Sequence, residues 1–294
     1  MDRLADQNEA LTEKYNAAQA AVELAQRAAE SARRAATEAD AAFRAARMEF
    51  GRMVAAQYER TSGGSTGALL TSQNPQRYLD RLNTLTLIST HRANLIAKLN
   101  ATSRAASEAR TRAATLLAEA TSKRDAASRQ RDTIVAQSTK FRSLLATLTL
   151  SQRQAYANRN APTIAQVQAA LQIRASSAAA QKAVDFALAQ IGKPYVFAAA
   201  GPDAFDCSGL TMAAWAAAGV ALPHFAATQY AQGRQVSQSQ LQPGDLVFLY
   251  SDIHHVELYI GNGLAVSAPQ EGEDVQIVRL AAFQSDYYGA TRPG

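Results

Sequence analysis

The chain has 294 residues, a net charge of +5, 47% hydrophobic content and a single cysteine. That length suggests about two domains, one cysteine excludes an internal disulfide, and no apolar run reaches the ~18 residues of a transmembrane helix. Residues 1–178 carry 25 Lys+Arg against 15 Asp+Glu, and residues 179–294 carry 5 against 10. Gly and Pro divide the same way, 4 and 2 in the first part and 11 and 6 in the second. Such asymmetry predicts a helical front module and a turn-rich globular back module. The basic residues of the front, such as Arg33, Arg34, Arg44 and Arg47, are spaced among acids without aromatic interleaving, so no nucleic-acid partner is expected.

From Leu4 a 4-3 hydrophobic spacing runs through Leu11, Tyr15, Ala18, Val22, Ala25, Ala29, Ala32, Ala36, Ala39, Phe43, Ala46, Phe50 and Met53, with Asn8 and Gln57 as its polar positions. A sustained seven-residue period is the coiled-coil signal, and alanine at the seam lets helices approach closely while burying little area each. The breaker cluster Thr61 to Gly67 ends this helix, and a second one resumes after Asn74-Pro75. Its seam runs through Ile88, Leu95, Leu99, Ala106, Ala113, Leu116, Ala120, Ala127, Ile134, Phe141, Leu144 and Leu148, interrupted by Arg92, Lys123, Gln130 and Gln137. Two long helices joined by a short loop predict an antiparallel coiled-coil hairpin over residues 1–150 with its tip at 61–75. The hairpin serves either as a spacer or as a docking element, with the apolar Ala68-Leu69-Leu70 in the tip loop.

Residues 151–178 change character: Asn158-Arg159-Asn160-Ala161-Pro162 breaks the helix, Thr163 to Arg174 allows a short one, and Ala175-Ser176-Ser177-Ala178 reads as linker. This segment is expected to be either an inhibitory plug on the next domain or a tether. Beyond it, residues 179–294 read as helices followed by strands: Ala183 to Ile191 as a helix, Thr211 to Ala218 as another, then strands over Leu246–Tyr250, His255–Ile260, Leu264–Ala268 and Val275–Leu280. That order predicts an α+β domain with an antiparallel sheet.

Cys207 lies at the first turn of the second of these helices, where unpaired backbone N–H groups and the helix dipole favour thiolate over thiol. A cysteine nucleophile needs a base and a polar group to orient that base. Of His91, His224, His254 and His255, the first falls in the coiled coil and the last two open a predicted strand. Alternation puts His254 and His255 on opposite faces, and parity alone does not say which face meets the cysteine. Adjacent histidines that diverge are no metal-ligand pattern, so neither metal nor cofactor is expected.

The pieces FDCSGL, LQPGDLVFLY, HHVELYIGNG and Tyr288-Gly289-Ala290-Thr291-Arg292 occur in order over residues 179–294, and there the chain resembles the NlpC family of bacterial cell-wall cysteine peptidases. The resemblance implies a papain-like α+β fold and cleavage of peptidoglycan stem peptides, typically between D-glutamate and meso-diaminopimelate. It implies Cys207 as nucleophile and His255 as base. Tyr195 falls near the oxyanion region, and Asp206 and Ser208 line the substrate groove. Asp206 also suits a helix N-cap without any substrate role. The third catalytic position, usually His in the family, is Ser267. Ala198 replaces a family glycine, His224 a frequent arginine, and Glu257 the small residue after Val256.

The front half resembles that of actinobacterial division hydrolases of the RipC type, whose coiled coil is held by the membrane complex FtsEX. This implies an exported protein whose signal segment is missing from the sequence, active in the cell-wall space, with the extracellular part of an FtsX-like protein as partner. Together the residues point to a secreted, regulated peptidoglycan endopeptidase. The competing reading is a non-catalytic wall-binding or scaffold protein with a weakened peptidase fold, which Ser267 and Glu257 favour and an intact Cys207–His255 pair opposes.

Overall fold

The computed structural model describes residues 2–61 and 75–294. The predicted tip loop with Ala68-Leu69-Leu70 lies outside the described residues. Helix α1 spans Asp2–Thr61 and α2 spans Pro75–Ala146, close to the bounds expected from the breaker cluster and from Pro75 at a first helical position. The chain divides into two compact units, Val22–Lys123 and Met1–Ala21 with Arg124–Gly294.

In the unit of residues 22–123, α1 and α2 pack against each other antiparallel. Ala25 and Ala29 pack with Ala120 and Leu116, and Lys98 and Arg110 pair across the helices with Glu49 at 2.7 Å and Asp40 at 2.6 Å. These ion pairs are solvent-exposed and screened, so they set register more than stability. The small seam side chains allow the close approach that the alanine-rich 4-3 pattern predicts.

In the other unit the order is α3 (Leu150–Ala157), α4 (Ile164–Leu171), α5 (Ala178–Leu188), α6 (Cys207–Ala217), α7 (Ala226–Gln232), then six strands. These are β1 (Arg234–Val236), β2 (Leu246–Leu249), β3 (His255–Gly261), β4 (Leu264–Ser267), β5 (Gln276–Arg279) and β6 (Tyr287–Arg292), paired antiparallel in the order β1-β6-β2-β3-β4-β5. The papain-like α+β class follows. α5 and α6 pack together and on β3, and one core joins Ala183, Ala187, Leu210, Ala214 and Trp215 to Leu246, Phe248, Val256, Leu258 and Ile260. The opposite face carries Val247, Leu249, Ala265 and Val278, as period-two alternation requires. Residues that sequence reading did not assign to helix or strand form β1, β6 and α7. In β6 the reason is Gly289, a weak strand residue whose missing side chain lets the Tyr230 ring approach: a Cβ there would lie 3.0 Å from it.

Residues 151–178 do more than bridge. α3 and α4 each begin with a threonine capping box, Thr149 with Gln152 and Thr163 with Gln166. Arg159 pairs with Glu273 at 2.6 Å, and the Tyr156 hydroxyl accepts from Gln270 at 3.0 Å. The last turns of α2 join the same surface. There Phe141 is fully buried, Arg142 meets Glu271 at 2.7 Å, and Leu145, rather than the expected Leu144, turns inward beside Gly272. Phe141→Ala should therefore cost about 3–5 kcal/mol, read as a lower urea midpoint of the full chain; an unchanged midpoint would show that this end of α2 does not contribute to the folded unit.

Candidate functional site

α6 starts at Cys207 because Asp206 caps it, its carboxylate accepting from Gly209 N–H at 2.6 Å. Gly209 has no room for a side chain: a Cβ would stand 2.2 Å from the Ala199 carbonyl oxygen, so the loop before α6 closes tightly over the cap. Trp215, one helix face along, donates its indole N–H to Gly244 O at 3.2 Å and anchors the helix in the core. His224, at the position of the family's frequent arginine, bonds Asp206 through Nε2 at 2.7 Å. The cap carboxylate is thus fully buried with two partners of its own, and a structural role accounts for much of it.

His255 opens β3 opposite Leu249, on the same face as Glu257, which pairs with Val247. The residues of that face point away from the core shared by α5 and α6. Cys207 nevertheless reaches the histidine at the very start of the strand, with Sγ 3.9 Å from the His254 carbonyl. His254 turns elsewhere, stacking on Tyr250 at 4.2 Å between ring centroids and bonding Asp252 and Asp6. Behind His255, Nε2 lies 3.3 Å from Ser267 Oγ and 3.4 Å from Glu257 Oε1. The structure therefore brings Cys207, His255 and Ser267 together, with Tyr195, Asp206 and Ser208 around them. It adds Glu257 to the set.

Sequence reasoning missed the occupant of this site. One face of the first turns of α1 bears Glu9, Thr12, Glu13 and Asn16, all buried. Glu9 Oε1 is hydrogen-bonded to His255 Nδ1, and Thr12 bonds the Tyr195 hydroxyl. Glu13 accepts from Ser208 Oγ at 2.6 Å, from the Ala226 N–H and from the Cys207 thiol at 3.7 Å. Asn16 Nδ2 donates to Asp206 Oδ2 at 3.0 Å. Tyr15 on the flank packs against Phe197, ring centroids 4.9 Å apart. Each expected site residue except Ser267 is thus met by a side chain of α1. Among the described residues, the hydrogen bonds that reach Asp206, Cys207 and Ser208 from outside residues 179–294 come from α1 and none from 151–178.

Glu9, Cys207 and His255 place a carboxylate oxygen, a sulfur and a ring nitrogen within 4.8 Å of one another. Such donors suit zinc. Here the Glu9 carboxylate is hydrogen-bonded to the His255 ring.

Residues 192–292 match the NlpC/P60 family. A protein of Mycobacterium tuberculosis named "Probable endopeptidase" is 45% identical over 97 residues, 33% of this chain and 25% of that protein. One of Corynebacterium glutamicum bearing the same name is 43% identical over 99 residues, 34% and 47% of the two chains. The chain therefore spans between a quarter and a half of the length of these relatives. Among solved structures, an NlpC/P60 family protein from Bacillus cereus is 31% identical over 41% of each chain, with a TM-score of 0.38. No described helix is long and apolar enough to cross a membrane.

The electrostatics of the site follow from α1. Burial, then the charges of Glu13, Glu9 and Asp206, push the Cys207 thiol well up, against one N–H from Val256. The thiolate expected from the helix N-terminus is thereby overridden: three carboxylates outweigh one helix end. Burial disfavours the His255 cation, but the Glu9 charge, hydrogen bonds with Glu257 and Glu9, and the Glu257 charge prevail and raise it to about 10. Burial and then the Asp206 charge raise Glu13 to about 7, against hydrogen bonds from Ser208, Ala226 and Asn16. Both raised groups bind protons more tightly when α1 is docked. Glu13 contributes stability that is full below its ordinary value of 4.5 and lost as pH climbs through about 7; His255 does so from 6.5 through about 10. The thermal midpoint of the full chain should fall from pH 5 to pH 10. The lower part of that fall should be absent in Glu13→Gln and the upper part reduced in Glu9→Gln. A midpoint that rises with pH contradicts this arrangement.

Proposed function

We propose that the NlpC/P60 domain at the C-terminus of this chain is a cysteine endopeptidase of peptidoglycan stem peptides, held closed by α1. The observation that carries the reading is Cys207 at the N-terminus of α6 with a ring nitrogen of His255 within 4.8 Å of it, each built into a different layer of the domain. A Cys–His pair so placed has the chemistry of an acyl-transfer nucleophile and base. With the site open, the Cys207 thiol gives its proton to His255 Nδ1, and sulfur attacks the amide carbonyl. The C–N bond breaks as the imidazolium protonates the leaving amine. Water, deprotonated by His255, then releases the acid and restores the thiol. The N–H of Cys207, at the start of α6, is the group available to an oxyanion, and the buried Tyr195 borders the same site.

The resemblance and the relatives' names support a substrate in the wall, with the D-glutamyl–meso-diaminopimelate amide as the expected bond. Asp206, Ser208 and the Ala226 N–H now bind the amide and carboxylate of α1, and they are the groups available to an acidic stem peptide. With α1 docked the chemistry is blocked twice. Glu9 sits on the base nitrogen that would take the thiol proton, and Glu13 sits on the thiol. Because α1 is one continuous helix of 60 residues, a partner acting elsewhere on it can withdraw Glu9 and Glu13. The RipC-type front half makes the extracellular part of an FtsX-like membrane protein the expected partner. The same resemblance supports a role in division, in the cell-wall space.

Muropeptides digested with the full chain and analysed by mass spectrometry test this. Glu9→Ala/Glu13→Ala should raise release of shortened stem peptides about tenfold or more, since leaving one partner of a buried pair alone strongly destabilises the docked state. Adding Cys207→Ala should abolish it. If the correctly folded double variant cleaves nothing, the non-catalytic wall-binding reading takes its place.

A further inference from the structure

Two groups face the rear nitrogen of His255, and they differ in kind. Ser267 Oγ stands 3.3 Å from Nε2 and Glu257 Oε1 stands 3.4 Å from it. Both side chains are completely buried. Glu257 follows His255 by two residues on β3, so the two project from the same face. The pairing Leu258↔Val266 places Ser267, on β4, directly across from Glu257. Serine offers a neutral hydroxyl; glutamate offers a charge, and charge-assisted hydrogen bonds are roughly twice as strong. The second Glu257 oxygen, Oε2, is buried without a hydrogen-bond partner among the described residues. A buried carboxylate with one oxygen unsatisfied is costly, and such a group is tolerated where it pairs with a cation. The ion pair of Glu257 is with His255.

We propose that Glu257 is the positioning residue of this site: it supplies the negative charge behind His255 that fixes the imidazole with Nδ1 toward Cys207 and holds the imidazolium, while Ser267 supplies only a secondary hydrogen bond. The inference rests on His255 being the base. In a nucleophile–base–acid arrangement the acid occupies the ring nitrogen that does not take the nucleophile's proton, and Glu257 is on that nitrogen. It does so from the base's own strand, where the sequence motif places no acid. The charged groups that face His255 are then Glu9 from α1 and Glu257 from β3, with the Cys207 thiol from α6. Withdrawing α1 removes Glu9 and leaves Glu257 as the remaining carboxylate on the ring. The imidazolium of an open Cys–His pair depends on it.

The test uses the full chain in the Glu9→Ala/Glu13→Ala background, so that the site is open and Glu257 is the carboxylate left on the ring. NMR follows the titration of His255, and mass spectrometry follows muropeptide hydrolysis. Glu257→Gln should lower the His255 titration midpoint by more than one pH unit and reduce kcat at least tenfold, with KM within about threefold. Ser267→Ala should produce a smaller shift and a smaller loss. The exchange Glu257→Ser/Ser267→Glu, which moves the carboxylate across the ladder at nearly constant volume, should recover most of both. The inference is overturned if Ser267→Ala shifts the His255 midpoint more than Glu257→Gln does. It is equally overturned if Glu257→Gln, with its near-ultraviolet spectrum unchanged, leaves the midpoint in place. Should no variant hydrolyse muropeptides while the midpoint still follows Glu257, the functional reading fails and the charge placement stands.

Discussion

The buried ion pair between Glu9 and His255 is the contact on which the state of this molecule turns. It joins the first turns of α1 to the start of β3 across 246 residues of chain, and both side chains are out of water. A pair of this kind contributes little net stability when complete, because desolvation offsets much of the attraction. Its importance lies in the penalty for breaking it in place, about 3–5 kcal/mol when one charge is left behind. The only inexpensive way to part the two is to move α1 away and rehydrate both. On the reading proposed above, this contact favours α1 either docked with Glu9, Thr12, Glu13 and Asn16 all paired, or withdrawn. Thr12 on Tyr195, Glu13 on Ser208 and Asn16 on Asp206 reinforce the same choice, since each would be orphaned by a partial displacement.

The first turns of α1 have two jobs and carry two patterns. The seam continues through Leu4, Leu11, Tyr15 and Ala18 as the heptads predict, with Asn8 as its polar member. Beside it, Ala5, Glu9, Thr12, Glu13 and Asn16 form a second buried stripe. On an isolated helix that stripe looks like an ordinary solvated face, because its members are polar and its spacing is the helix's own. Only the facing domain gives it meaning. The local pattern thus disclosed the two long helices and withheld the reason for the first four turns of α1. From residue 22 onward α1 has a single job, and there the alanine seam accounts for the burial without remainder.

The site shows the same division between local and distant information. Cys207, Asp206 and the helix they start were legible because capping, dipole and hydrophobic spacing are short-range. His255 was legible as a strand residue, but its side of the sheet was not, because parity relates it to Glu257 and says nothing of where α6 ends. Ser267 was expected as the third member, and the structure does place it on Nε2. Glu257 was a misfit next to the base; folding turns the misfit into a neighbour of the same nitrogen. A glutamate at i+2 from a strand histidine always shares its face. Its significance depends on burial, which no single sequence displays.

A shared physical feature explains why this site can be closed by carboxylates at all. The N-terminus of α6 presents backbone N–H groups and the positive end of a dipole, which is what a thiolate at Cys207 needs. Against that, α1 brings two carboxylates up to the thiol, and burial with these and Asp206 pushes it up. Glu13 in particular lies where Ser208 Oγ and the Ala226 N–H converge, next to Asp206 and the thiol. Docked carboxylate and thiolate are alternatives, since both cannot be accommodated beside a buried Asp206 without protonation, and the raised Glu13 and Cys207 register that conflict. On the proposed reading, opening exchanges the carboxylates of α1 for a charged sulfur at Cys207 in one crowded spot.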